Sequence, residues 1–220
     1  MAGAKGSGNE DRQVNYTQLV ANIQDFLEDD SVELQNSIDQ IISQAEEMIF
    51  QRLPNLPCYR KTTTGSMAAG TADYTVPSAR MIRQVSVISS NVVSYLNHRV
   101  DSYIRDYSPN ATTQGTPIMY STASAGTAGT VITLAPTPDS TDTYQVDFIA
   151  PETGLSSGNT NNWIGDNAEN VLLAACLYEA SAFLKAGETL ALYKTQFDEA
   201  VQLTVQEMQR DYAEEYNGGL

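Results

Sequence analysis

Residues 160–216 read TNNWIGDNAENVLLAACLYEASAFLKAGETLALYKTQFDEAVQLTVQEMQRDYAEEY, and this pattern predicts two consecutive helices. Asp166 and Glu169 have the spacing of a capping box, in which two side chains satisfy the amide groups of a first helical turn. The helix that they begin runs to about Lys185, a cation that is favourable at a helix C-terminus. Gly187 then supplies a residue that tolerates the left-handed conformation that often follows a helix.

The second helix of this hairpin is predicted at residues 188–216. One of its faces carries Tyr193, Phe197, Val201, Val205, Met208 and Tyr212. A helix rises about 1.5 Å per residue, so this one is about 40 Å long, which is more than a core of this size covers. We therefore expect its far end to contact another chain, through Gln209, Asp211, Tyr212, Glu215 and Tyr216.

Two more helices are predicted near the N-terminus. The first covers residues 16–27, with Leu19, Ile23, Phe26 and Leu27 at helical spacing. Asp30 and Glu33 have capping-box spacing and begin the second, which ends before Pro54. Its apolar stripe consists of Leu34, Ile38, Ile41, Ile42, Ala45, Ile49 and Leu53.

The middle of the chain is rich in Thr, Ser, Gly, Val and Tyr and predicts short strands between turns. Candidate strands are residues 59–64, 73–76, 81–89, 92–96, 118–121, 131–135 and 144–149, with a short helix at 100–107. The sequence thus predicts an α+β fold, in which both chain ends form a helical bundle around an inserted small antiparallel β-domain. The expected divisions are a flexible segment at 1–15, helices at 16–57, the β-domain at 58–151, a linker at 152–162 and the helical hairpin at 163–220.

The chain is strongly acidic, with 12 basic and 27 acidic residues and a net charge of -15. Residues 1–57 and residues 162–220 each carry ten acidic and three basic side chains, whereas residues 58–161 are close to neutral. Affinity for nucleic acid requires a basic surface, so we expect no DNA binding, although DNA can pass beside the protein. Residues 1–15 lack the apolar core of a signal peptide, and the longest apolar run is too short for a bilayer. We expect the protein in a cytoplasm or in a particle assembled there, with no membrane partner.

The sequence predicts no catalytic, cofactor or metal site. Glu46 and Glu47 are adjacent on a helix, so they point apart, and we expect both to be solvated or in salt bridges. His98 is the only histidine and has no nucleophile motif beside it. One histidine and the two distant cysteines, Cys58 and Cys176, predict neither a zinc site nor a disulfide framework. The acidic runs do not match a calcium loop, and no glycine-rich segment has the pattern of a phosphate cradle.

Four arginines of the middle region, Arg80, Arg83, Arg99 and Arg105, are candidate interface residues. They would meet an acidic partner, for example the acidic helical end of a neighbouring copy. In a ring, one acidic patch and one basic patch per subunit meet head to tail. The competing interpretation is ordinary surface charge, because isolated surface pairs contribute little.

Three segments together resemble the head-to-tail connecting (adaptor) proteins of tailed bacteriophages, in particular the short-tailed phages. The first is residues 37–53, in which Ile42, Ala45, Glu46, Ile49, Arg52 and Leu53 match the family's second helix. The second is residues 131–148, in which Leu134, Pro136 and Pro138 match a strand–turn–strand. The third is residues 162–197, with Asn162-Trp163, Glu179-Ala180 and Phe183-Leu184-Lys185. The resemblance covers about residues 16–212, and the loop at 89–117 departs from it.

The resemblance implies a structural virion protein without enzymatic activity. Such a protein forms a ring, dodecameric in relatives, that docks under the portal protein, bridges it to the tail nozzle protein and in some members holds tail fibres. DNA crosses the lumen without specific binding. Two other function classes remain open on the sequence alone. One is a tail module that binds a host glycan or receptor through the β-domain, and the other is a virion cell-wall hydrolase.

Overall fold

The computed structural model describes residues 13–110 and 112–217, with side chains described as far as residue 209. In this part of the chain it is a mixed α+β structure with six α-helices and two sheets, which confirms the predicted class. The helices are α1 (Tyr16–Leu27), α2 (Val32–Arg52), α3 (Asp101–Tyr107), α4 (Trp163–Asn167), α5 (Glu169–Phe183) and α6 (Gly187–Asn217). The strands are β1 (Arg60–Ser66), β2 (Asp73–Pro77), β3 (Met81–Ser89), β4 (Val92–Tyr95), β5 (Asn97–His98), β6 (Met119–Ser124), β7 (Gly129–Ala135) and β8 (Thr143–Ile149).

The chain divides into two compact units. Met1–Pro54 together with Glu152–Leu220 form one, which we call the helical unit. Asn55–Pro151 form the other, the sheet unit.

Helix α5 is the centre of the helical unit, since it contacts α1, α2, α4 and α6. Its Leu172, Ala175, Cys176 and Ala180 are fully buried, as expected for a helix that is apolar on most sides. The predicted stripe of α2 is confirmed, because all seven of its side chains are buried. In α1, Leu19 and Ile23 are buried, but Phe26 is 58% exposed, contrary to its place in the predicted stripe.

The helix boundaries are close to the predictions, but the caps differ. Helix α2 is capped by Ser31, whose hydroxyl accepts from the Leu34 amide at 3.3 Å, and not by Asp30. The acidic residue that contributes to this helix start is Asp29, whose Oδ1 accepts a hydrogen bond from the Ser31 amide at 2.8 Å and stabilises the turn before the helix. A full capping box is present instead at α1, between Asn15 and Gln18.

Similar shifts occur around α5. Asp166 is no cap, because a short extra helix, α4, begins earlier at the capping side chain of Asn162. Helix α5 ends two residues before Lys185, so the left-handed position falls on Lys185 with a φ of 55°. Gly187 is consequently the first residue of α6 and does not terminate α5.

The sheet unit holds two four-stranded sheets, in the orders β1-β8-β3-β4 and β2-β7-β6-β5. Their inner faces share a core of buried side chains that includes Val76, Val85, Ile132, Leu134 and Val146. The predicted strands are found within a few residues of their places, and the short strand β5 is additional. The strand pairs are antiparallel as predicted, except that the additional strand β5 pairs with β6 in parallel. A parallel pair needs a long crossover, and residues 99–118 with α3 provide it.

Candidate interaction surfaces

Helix α6 continues beyond Phe197, the last buried side chain among its described residues. Tyr193 and Phe197 are buried, but among the described residues from 198 to 209 no side chain is. Leu203 is 61% exposed and Gln209 is exposed as well. We call residues 198–217 the distal half of α6. The candidate interface side chains of Asp211, Tyr212, Glu215 and Tyr216 belong to it but lie outside the described side chains.

A groove of about 670 Å³ lies between the distal half of α6 and the start of α5. Three carboxylates, Asp166, Glu169 and Glu207, line it together with the exposed Leu203. Oδ1 of Asp166 is buried and has no hydrogen-bond partner among the described residues. The sequence did not predict this acidic groove, because its carboxylates come from three helices, α4, α5 and α6, whose packing brings them together.

Arg80 and Arg83 line one cleft of the sheet unit, which we call the arginine cleft. It has a volume of about 600 Å³ and is bordered also by Met81, His98 and Tyr120. Arg83 is the extra residue of a β-bulge in β3, because the register with β8 shifts between Ile82 and Gln84. A bulge redirects a side chain away from the regular ladder. The cleft thus presents cationic groups on a unit that is otherwise close to neutral.

The other two candidate arginines lie elsewhere on the sheet unit. Nε of Arg105 in α3 donates to Oδ2 of Asp101 at 2.7 Å, and both residues line a second cleft. The guanidinium carbon of Arg99 lies 5.5 Å from the centre of the Tyr103 ring, within range of a cation–π contact. The arrangement therefore joins Arg80 with Arg83 and sets Arg105 in a different cleft.

Glu46 is a structural residue, which the sequence analysis did not foresee. Its Oε1 accepts from the backbone amide of Leu155 at 2.9 Å and from Nδ2 of Asn162 at 2.8 Å. Asn162 in turn caps α4 through its Oδ1, at 2.9 Å from the amide of Gly165. The carboxylate thus ties α2 to the segment that leads into α4.

The environment of Glu46 raises the pKa of its carboxyl group. Burial is the main cause, because it disfavours the charged form, and the nearby charge of Glu152 acts in the same direction. The two hydrogen bonds oppose the shift. Gly154 approaches so closely that a side chain there would meet the carboxylate, at 2.5 Å from Oε2. The segment 154–162 is therefore built around this acid. Oε1 of the neighbouring Glu47 accepts from Nε2 of Gln51 at 3.4 Å.

The residues that could carry chemistry are placed as follows. His98 is exposed, 3.5 Å from the hydroxyl of Thr122, and its ring lies 5.1 Å from that of Tyr120. Cys176 is fully buried, and burial raises the pKa of its thiol, so the nucleophilic thiolate is disfavoured. Within the described ranges, no three His, Cys, Asp or Glu side chains are grouped so that they could hold a metal ion.

Strand β4, which was predicted as a strand, exposes an apolar edge. Val92, Val93 and Tyr95 are 64%, 49% and 66% exposed, and β4 is the outer strand of its sheet. Its two-residue hairpin with β3 is made by Ser90 and Asn91, both with positive φ, which gives the tight turn that matches strand twist. Apolar edges of this kind are normally covered in an assembly.

The comparison with family models decides what kind of protein carries these surfaces. The chain matches the model of the SU10 adaptor protein family over residues 14–218. It belongs to this family. The match supports a structural role as a bacteriophage adaptor in the virion neck, between head and tail.

Two further findings concern curated proteins and the helices of this chain. A comparison with curated proteins finds no match. Among the described helices of this adaptor family member, none combines the length and the apolar character that crossing a membrane requires. The family match confirms the predicted resemblance to phage adaptor proteins. The assignment to a short-tailed phage stays a prediction.

Proposed function

We propose that this chain forms a ring that joins the portal protein to the tail nozzle protein, in the neck of a short-tailed phage. By resemblance to phage adaptor proteins, the ring is a dodecamer and assembles in the host cytoplasm. Some members of that group also hold tail fibres. Helices from both ends of the chain form a bundle around α5, and the sheet unit is the inserted domain. The protein has no enzymatic role.

The observation that carries this proposal is the distal half of α6. A helix without tertiary packing is marginally stable in water, so a long one needs a partner. Here none of the described side chains from 198 to 209 is buried, while the helix continues to Asn217. Residues 198–217 therefore provide a surface for the portal protein or another subunit.

The charge of the protein supports a channel for DNA. With a net charge of -15, the subunit repels phosphate groups, and a ring of such subunits repels them more strongly. DNA then slides through without adhering to the wall. Residues 207–216 add four acidic side chains, Glu207, Asp211, Glu214 and Glu215, and the acidic groove lies on the same unit.

Negative-stain imaging with and without purified portal protein tests the proposal. We expect annular particles, either from the chain alone or only after portal protein is added. A variant that ends at residue 197 keeps the buried part of α6 and should no longer form these particles. A full-length chain that stays monomeric and does not bind portal protein would overturn the proposal.

A further inference from the structure

We infer that the arginine cleft binds the acidic end of α6 from a second copy of this chain. This contact would link the sheet unit of one subunit to the helical unit of its neighbour. The inference rests on the proposed ring, for which it names the contacting groups. It also separates Arg80 and Arg83 from the two other arginines that the sequence alone groups with them.

The first step is the character of the cleft. Its described lining contains two arginines and one histidine and no carboxylate. This is unusual in a chain with 27 acidic and only 12 basic residues. Thr122 and Ser124 border the same cleft and add hydroxyl groups that can donate hydrogen bonds to an anion. The cleft is thus suited to carboxylate groups.

The second step is the availability of Arg83. This residue is exposed and stands at the bulge of β3, and among the described residues it makes no ion pair. Arg105 differs, because Asp101 already pairs with it at 2.7 Å. Beside Arg83, Met81 is 57% exposed and offers apolar surface to the occupant. A guanidinium group suits carboxylates because its planar donors can bind both oxygens.

The third step is the occupant. Residues 207–216 carry four acidic side chains, Glu207, Asp211, Glu214 and Glu215, against one basic side chain, Arg210. The same segment of the sequence contains two tyrosines, Tyr212 and Tyr216. This end therefore combines carboxylates with aromatic groups, and the cleft combines cations with an exposed methionine.

The fourth step is why the occupant belongs to a second copy. The helix continues for about 30 Å beyond Phe197, at about 1.5 Å per residue, so its end projects from the core that holds its start. Each subunit carries both an acidic helix end and a cationic cleft. Two different patches on one chain form a head-to-tail contact, and such a contact closes into a ring when the rotation allows it. DNA is the less suitable occupant, because the rest of the chain repels phosphate.

A peptide titration tests the cleft directly. A fluorescent peptide of residues 205–220 is titrated into the dilute full-length chain, and binding is followed by anisotropy. We expect Arg83→Glu to weaken binding about tenfold or more, because it replaces an attractive contact with a repulsive one. Arg105→Glu is the matched control, since it reverses a charge of the same unit outside the cleft, and it should leave binding within about twofold. Equal affinity of the native chain and Arg83→Glu overturns the inference.

A charge exchange in the full-length chain tests the contact between copies. Arg83→Glu and, separately, Asp211→Arg with Glu215→Arg should each reduce self-association in sedimentation velocity, and the combined variant should restore it. Far-ultraviolet circular dichroism checks that each variant is folded. Failure of the combined variant to regain association overturns the inference.

Three outcomes separate this inference from its alternatives and from the proposed function. If Arg83→Glu forms rings on portal protein as well as the native chain does, the cleft contact is wrong and the adaptor proposal stands. If Arg83→Glu instead loses only a weak binding of duplex DNA, the cleft serves nucleic acid and the inference fails. A native chain that makes no ring with portal protein contradicts the adaptor proposal, while the peptide titration still decides whether the cleft binds the α6 end.

Discussion

The two halves of helix α6 differ in what they bury. The first half places Tyr193 and Phe197 in the core of the helical unit, while the described side chains after Phe197 stay half-buried or exposed. One continuous helix thus changes its role without a break in its backbone. The apolar stripe of a helix therefore predicts a surface that will be buried, but it does not predict whether the same subunit or another chain buries it.

The largest expected effect concerns the packed half. Phe197→Ala removes a fully buried ring and should lower the free energy of unfolding by about 3–5 kcal/mol. Leu203→Ala in the distal half removes an exposed side chain and should change it by less than about 0.5 kcal/mol. Urea denaturation of the isolated subunit measures both. A large decrease in the free energy of unfolding for Leu203→Ala would mean that the distal half is packed within the subunit. The two halves would then not differ in burial.

A second, smaller effect concerns Glu46 of the helical unit, whose carboxylate accepts hydrogen bonds from Leu155 and Asn162. Glu46→Ala leaves the Leu155 amide and the Asn162 side chain without their acceptor and should cost about 1–3 kcal/mol. Gln44→Ala, at an exposed position of the same helix, is the control and should cost less than about 0.5 kcal/mol. Equal costs would contradict the structural role of Glu46. Denaturation at constant pH compares the two.

The same carboxyl group predicts a pH dependence. Burial raises the pKa of Glu46 above its usual value of 4.5, so the folded chain keeps this proton to higher pH than the unfolded chain. Its contribution to stability is therefore complete below the ordinary pKa and is lost as pH rises through the raised one.

Glu46→Gln isolates this contribution, because glutamine keeps an acceptor oxygen and stays neutral. Its stability relative to the native chain should increase as the pH rises from the ordinary carboxyl pKa through the raised pKa of Glu46. Denaturation at several pH values measures the difference. A difference that does not change with pH would show that the group titrates normally in the folded chain.

The smallest effect lies at the junction between the two halves. Arg52 of α2 and Asp198 of α6 form an ion pair at 3.5 Å, with side chains 53% and 40% exposed. An exposed pair of this kind contributes at most about 1 kcal/mol and is weakened by salt. A double-mutant cycle of Arg52→Ala and Asp198→Ala should give a coupling below that figure. A stronger coupling would place the end of the packed half beyond Asp198.

The helix and strand pattern could be predicted because it depends on local periodicity. The stripe of α2 from Leu34 to Leu53 repeats with the helix period, and its side chains are buried as expected. Strand β3 was placed at its observed bounds for the same reason. The caps were less predictable, since Asp166 has the spacing of a cap but lies within α4, whose start depends on Asn162.

The site could be predicted only in part. The distal half of α6 was expected to be uncovered, because a helix of that length exceeds a small core. The separation of Arg83 from Arg105 was not foreseen, since sequence distance does not tell which strands form a common cleft. The role of Glu46 was also missed, because its partners Leu155 and Asn162 are more than a hundred positions away.

The sequence by itself determined the α+β class, the length of α6 and the acidic charge, because these follow from periodicity, residue count and composition. The tertiary structure alone decided where the charges meet. It brought Asp166, Glu169 and Glu207 into one groove and Arg80 and Arg83 into one cleft. The physical reason is that contacts between distant segments depend on how helices and strands pack, and a single linear pattern does not contain that packing.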